Sequence, residues 1–174
     1  MAAIKEILLG LVFASVLAAT FQCIYGDYFR EPDPDSFVGQ FLIPQNEARA
    51  NVGLAPLQWD NRLAQYAQWW ANQRAAYGNC LLRHSGGPYG ENVFWGSGKA
   101  WGPADAVSAW VDERQWYNYY TNSCSYFQDC GHYTQIVWRT STRVGCAKST
   151  CSDGDVFMTC NYYPPGNYIG QRPY

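Results

Sequence analysis

The order of its periodic segments predicts an α+β fold for this chain. Apolar residues recur at helical spacing between positions 37 and 112, and β-rich runs take over after position 132. Six cysteines downstream of an apolar leader add a disulfide-stapled domain to that reading.

Lys5 precedes an apolar run over 7–21 that is relieved only by small residues, Ser15 and Thr20. A short basic start and an apolar stretch too short for a comfortable membrane span describe a secretory signal. The expected signal covers 1–26, with cleavage between about 19 and 27 at Ala18, Ala19 or Gly26. A signal anchor is the alternative. Cys23 leaves with the signal, and the mature chain holds no transmembrane segment. Residues 27–36, acidic and carrying Pro32 and Pro34, read as an extended leader to the domain at 37–174.

Ser36 is a natural N-cap for a helix over 37–50 that carries Phe37, Phe41 and Leu42. Pro44 is expected to break or kink it at a cost of about 3 kcal/mol, so that the helix restarts afterwards. Asp60 caps the clearest helix, with Leu63, Ala67, Trp70 and Ala71 on one stripe and Gly78 as the stop. A Gly-rich loop follows over 84–92. A third helix opens at Pro103 and carries Val107, Trp110 and Val111, with Glu113 three residues beyond Trp110 and near its face.

Strands are expected over 133–138, 144–148 and 156–162, with a hairpin turn at 152–155. On the first of these, His132, Thr134, Ile136 and Trp138 would share one face. The tail, 164–174, is rich in Pro and Gly.

Net charge is −2 with no basic block, which excludes nucleic acid as a natural partner. Aromatic residues make up 17% of the chain, enough for a core and also for carbohydrate, sterol or protein contacts. The six mature cysteines, Cys80, Cys124, Cys130, Cys146, Cys151 and Cys160, allow fifteen pairings. No Cys-x-x-Cys pair occurs, so a zinc ribbon is excluded.

Catalytic signatures are sparse. The chain has no His-Glu-x-x-His helix, no Gly-x-Ser-x-Gly elbow, and no thiol left over once the cysteines pair. Ser85 lies beside His84 but needs an orienting geometry to act as a nucleophile.

Four segments point in one direction. They are His84-Ser-Gly-Gly-Pro-Tyr-Gly-Glu91-Asn92, Trp110-Val-Asp-Glu113, Gly131-His132-Tyr-Thr-Gln-Ile-Val-Trp138 and Cys160-Asn-Tyr-Tyr-Pro-Pro-Gly-Asn-Tyr168. Over about 37–174 the chain resembles the CAP superfamily of secreted cysteine-rich proteins, and within it the plant pathogenesis-related class 1 proteins. The resemblance implies a three-layer α-β-α sandwich around an antiparallel sheet, with the pairing Cys80–Cys151, Cys124–Cys130 and Cys146–Cys160. It also implies a groove lined by His84, Glu91, Glu113 and His132. These are the only histidines in the chain, and both fall within the motifs. Two neutral imidazoles can ligate a divalent metal such as zinc, His84 and His132 being the ligands, although no cofactor is required. The alternative is a hydrogen-bonded network that fixes the loops around the groove. One departure stands out: where the family carries a His-Asn pair in its first helix, this chain has Gln45-Asn46 after Pro44, which leaves the shape of that helix open.

The function implied is secreted, extracellular defence, in the apoplast if the source is a plant, by binding instead of catalysis. Antifungal or anti-oomycete action through a sterol or other lipid is expected, with Phe94, Trp95 and Trp101 on a mobile Gly-rich loop as the lipid contacts. A second reading makes the chain the precursor of a defence-signalling peptide, 164–174, released between Tyr163 and Pro164 and recognised by a receptor. A third is a metal-dependent hydrolase.

Overall fold

The computed structural model describes residues 32–174; the expected signal over 1–26 with Cys23, and residues 27–31 of the leader, lie outside the described residues. Helix α1 (Phe37–Ala50) starts where Ser36 accepts a hydrogen bond from the Gly39 amide at 2.9 Å. It does not restart after Pro44, as the sequence suggested, but runs through it. The Gln45 side-chain amide donates to the Phe41 carbonyl at 2.9 Å, adding a donor to the turn that the proline disturbs.

Strand β1 (Gln58–Trp59) leads into α2 (Asn61–Tyr77), capped by Asp60 through the amides of Arg62 and Leu63 and ended by Gly78, as expected. Strand β2 (Gly90–Gly96) comes next, then α3 (Pro103–Asp112), continued by a 3₁₀ turn, Glu113–Trp116. A short hairpin, β3 (Tyr117–Asn118) and β4 (Ser123–Cys124), precedes α4 (Gly131–Ile136). Strands β5 (Arg143–Thr150) and β6 (Val156–Tyr163) complete the set. Their turn sits where 152–155 was expected, with Gly154 at φ 89°.

The main sheet has the order β1-β5-β6-β2. It is mixed, not wholly antiparallel, because the short β1 pairs parallel to β5. β6 runs through its centre and is buried from Val156 to Tyr162, because both of its faces are covered. Phe157 packs with Ala67, Ala71 and Ala147 beneath α2. Met158, Cys160 and Tyr162 point the other way, into a core with Phe41 of α1, Trp110 of α3 and Tyr133 of α4. Gly145 of β5 permits the close approach of α2: a Cβ there would lie 2.2 Å from the Ala64 nitrogen. These are the three layers of an α-β-α sandwich.

Two assignments change. Residues 131–136 form a helix, so His132, Thr134, Ile136 and Trp138 do not share a strand face. The β-branched residues Thr134, Ile136 and Val137 gave the strand signal. It is overridden by acceptors supplied to the free N–H groups of the first turn: Asp129 takes the Gly131 amide at 2.9 Å, and Glu113 takes those of His132 and Tyr133 at 2.9 and 3.1 Å. The stretch from Gly90, read from its glycines and polar residues as a loop, is an edge strand paired along its length with β6.

The three disulfides are Cys80–Cys151, Cys124–Cys130 and Cys146–Cys160. The tail is not a free end. Ser141 Oγ donates to the Pro164 carbonyl at 2.8 Å, the Gly166 amide donates to Gln135 at 3.0 Å, and the Arg139 amide donates to the Pro173 carbonyl at 2.6 Å. Tyr174 stacks on Tyr119 with centroids 4.8 Å apart. Among the described residues, no helix is long and apolar enough to cross a membrane.

Candidate functional site

A cleft of about 390 Å³ opens between the loop before β2, α4 and the tail. His84, Glu91 and His132 line it, with the buried Asn92 and Gln135 contributing to its wall. Glu113, the fourth residue of the expected set, stands behind His132 and does not line the cleft.

Each histidine is held by its own carboxylate. His84 Nδ1 lies 2.9 Å from Glu91 Oε1, which also accepts the Ser85 amide at 2.8 Å, while Asn161 donates to Glu91 Oε2 at 3.2 Å. His132 Nδ1 lies 2.5 Å from Glu113 Oε1, and its ring stacks near-parallel on Trp110 at 6.0 Å. Glu113 therefore has two tasks, since the same carboxylate caps α4 through two amides. The strand that supplies Glu91 is the one the sequence concealed.

The Glu91 pair is electrostatically biased. The hydrogen bond to Glu91 is the largest influence on His84 and raises its pKa, against an opposing effect of burial. For Glu91, burial pushes the pKa upward, but hydrogen bonds from His84, Ser85 and Asn161 together outweigh it and hold the carboxyl below its ordinary value. The two shifts have opposite linkage. The raised imidazole stabilises the fold fully below its unfolded pKa and loses that contribution as pH rises through the folded value. The depressed carboxyl stabilises it above the unfolded carboxylate pKa and loses that as pH falls through the folded value. The contribution of the pair is thus greatest between the ordinary carboxylate and imidazole ranges. Subtracting the melting temperature of Glu91→Gln from that of the wild type across pH should give a difference that peaks there and declines toward both sides. A difference independent of pH would contradict the assignment.

Residues that sequence reasoning passed over complete the site. Tyr162 donates to Gln45 Oε1 at 2.7 Å, and Asn92 Nδ2 lies 3.2 Å from the Tyr162 hydroxyl and 3.0 Å from the His132 carbonyl. Gln45, the departure noted in the first helix, is fully buried and forms the far end of this chain of contacts. The signal for it was a glutamine at a core position of an amphipathic helix.

The donor set for a metal is thin. Among the described residues no group of three or more His, Cys, Asp or Glu is placed to hold an ion. Both Nδ1 atoms are engaged by carboxylates, the arrangement that orients metal-binding imidazoles, but this leaves only the two Nε2 atoms as ligands and does not fit a closed zinc site. Ser85 Oγ accepts the Gly87 amide at 3.2 Å and is hydrogen-bonded to neither imidazole. The expected lipid contacts also change. Phe94 and Trp95 lie on β2, and Phe94 and Trp101 pack edge to face against the core. Only Trp95 is broadly exposed, and its indole donates to Asp155 at 3.0 Å. The three are not a mobile aromatic loop.

Sandwich, disulfides and paired His–Glu cleft define a class, and comparison with known proteins gives the same class. The cysteine-rich secretory protein family, CAP, matches residues 42–162, and the chain belongs to that family. Within it the chain is similar to the plant pathogenesis-related class 1 proteins. It is 66% identical over 140 residues to pathogenesis-related protein PR-1 of Medicago truncatula, covering 80% of each chain. It is 52% identical over 134 residues to pathogenesis-related protein 1 of Arabidopsis thaliana, covering 77% of this chain and 80% of that one. Among solved structures, venom allergen-like protein 4 of Schistosoma mansoni matches with a TM-score of 0.61 at 25% identity, over 77% of this chain and 90% of the other.

Proposed function

We propose that the chain is a secreted, extracellular defence protein of the pathogenesis-related class 1 type, acting on fungi or oomycetes by binding a membrane sterol or related lipid. The observation that carries this reading is a group of bare apolar side chains on the segments around the Cys124–Cys130 loop and the tail. Tyr120, Tyr126, Phe127 and Ile169 are almost wholly exposed, and Tyr126 and Phe127 stand together with centroids 4.0 Å apart. Adjacent aromatic rings left in water, as Tyr126 and Phe127 are, favour contact with a membrane or another apolar partner. Trp95 is the member of the original aromatic set that remains available.

The test is binding to phosphatidylcholine vesicles with and without ergosterol. The wild type is expected to bind the sterol-containing vesicles preferentially. Tyr126→Ser/Phe127→Ser should lose about tenfold in affinity, with Trp95→Ala much less affected. Equal binding by the wild type and the double variant would remove the reading. Catalysis finds less support, because a metal-dependent hydrolase needs a third ligand in the cleft. Release of 164–174 as a signalling peptide remains a separate proposal. It requires cleavage after the half-exposed Tyr163 and also detachment of a tail held by several hydrogen bonds. Mass spectrometry of fluid from stressed tissue that finds only intact C-termini would count against it.

A further inference from the structure

The cleft does not stand alone. A second cavity of about 340 Å³ adjoins it, and Asp129, Gly131 and Asn167 line both. Asn167 is the fixed sill between them: its Nδ2 donates to the Gly131 carbonyl at 2.8 Å, and its Oδ1 accepts the Thr134 hydroxyl at 2.7 Å. Each cavity falls within the range of about 300–1,000 Å³ that small-molecule sites occupy.

The linings share one chemistry. Neither cavity is lined by a lysine or arginine, and the carboxylates present are Glu91 and Asp129. An anionic ligand would meet these carboxylates, with imidazole as the only source of compensating charge. A wholly apolar ligand would cover the side-chain amides of Gln128 and Gln171 without replacing their hydrogen bonds to water. A neutral polyhydroxylated ligand meets both conditions. Its hydroxyls donate to the carboxylates and exchange hydrogen bonds with the amides, while its C–H faces lie on Tyr89, Tyr117 and Tyr168. Two similar cavities joined at a shared sill suit a ligand built of repeating units.

We propose that the two cavities form one trough that binds a neutral oligosaccharide. This is independent of the sterol reading, which rests on exposed side chains outside the trough. Gly166, Asn167 and Tyr168 of the tail form part of the wall, so a ligand in the trough also holds the tail in place. By linkage, a ligand favoured by the tail-docked state stabilises that state in return.

The test is an array of neutral and acidic oligosaccharides probed with the disulfide-bonded protein, followed by calorimetry on the strongest neutral binder. Neutral glycans are expected to bind and acidic ones not. Tyr168→Ala, a half-exposed residue whose loss leaves the core intact, should weaken binding about tenfold. Asp129→Asn keeps the Oδ1 acceptor for the Gly131 amide while removing the charge, and should also weaken it. The bound glycan should slow proteolytic removal of the tail. Failure of every neutral glycan to bind, preference for acidic ones, or unchanged affinity in both variants would each overturn the proposal.

Discussion

Replacing Arg49 by alanine is expected to destabilise the fold by about 3–5 kcal/mol. Arg49 is 2% exposed, and among the described residues no carboxylate pairs with it. Its guanidinium is solvated by backbone carbonyls instead: Ala55 at 2.8 Å, Ile136 at 2.8 Å, Trp138 at 2.9 Å and Ser141 at 3.0 Å. Burial lowers its pKa to about 10, with the nearby Tyr162 working in the other direction, so the group stays charged at neutral pH. Removing the side chain takes a donor from four carbonyls, of which only that of Trp138 keeps a second donor among the described residues, the Ser141 amide at 3.1 Å, and opens a cavity where α1, the end of α4 and the start of β5 meet. Arg49→Met restores volume without donors, so it should recover only the packing part of the loss. Arg49→Lys keeps the charge, but its ammonium cannot reproduce a planar fork spread over four acceptors. Urea unfolding of the three variants separates these contributions. An alanine variant that loses less than about 1 kcal/mol would show that water replaces the guanidinium without penalty. Because two of the acceptors lie at the end of α4 and just beyond it, the His132 ring signals should shift in the same variants.

Arg49 also marks the limit of what could be read from residues alone. The helices that begin at Asn61 and Pro103 were legible because their caps and apolar stripes are local, written within a few residues of each other. The β5–β6 hairpin was legible for the same reason. Residues 131–136 were not, because the acceptors that turn a β-prone run into a helix include Glu113, which is distant in sequence. Strand β2 was hidden because its amides pair with β6, about 65 positions away, and its glycines look like loop residues until that partner is known. The same rule governs the site. His84, Glu91, Glu113 and His132 were named through motifs, but their division into two pairs depends on tertiary contacts, as does the retreat of Glu113 behind His132. Pro44 and Gln45 read as damage to α1 in sequence; in the fold, Gln45 bonds both the proline-disturbed turn and Tyr162.

Removing the Cys80–Cys151 bridge by paired serine substitution should cost about 4 kcal/mol, against about 2 kcal/mol for Cys124–Cys130, because unfolded-chain entropy grows with loop length. The first bridge spans 71 positions and the second only 6. The first joins the segment after α2 to the end of β5 within the core cluster beneath α2, and neither of its cysteines lines the cleft or the adjoining cavity. Its loss should lower the melting temperature strongly while leaving the His132 ring environment unchanged in the folded state. The second closes the loop that ends at Cys130, one residue before the α4 first turn, and carries Asp129, which caps Gly131 and lines both cavities. Its loss should cost less stability yet disturb the His132 signals and weaken whatever the trough binds. The two variants therefore dissociate stability from site geometry. If the Cys124–Cys130 variant kept native His132 signals and the Cys80–Cys151 variant lost them, the short bridge would not be what positions α4, and the Glu113 and Asp129 acceptors would suffice to hold the histidine.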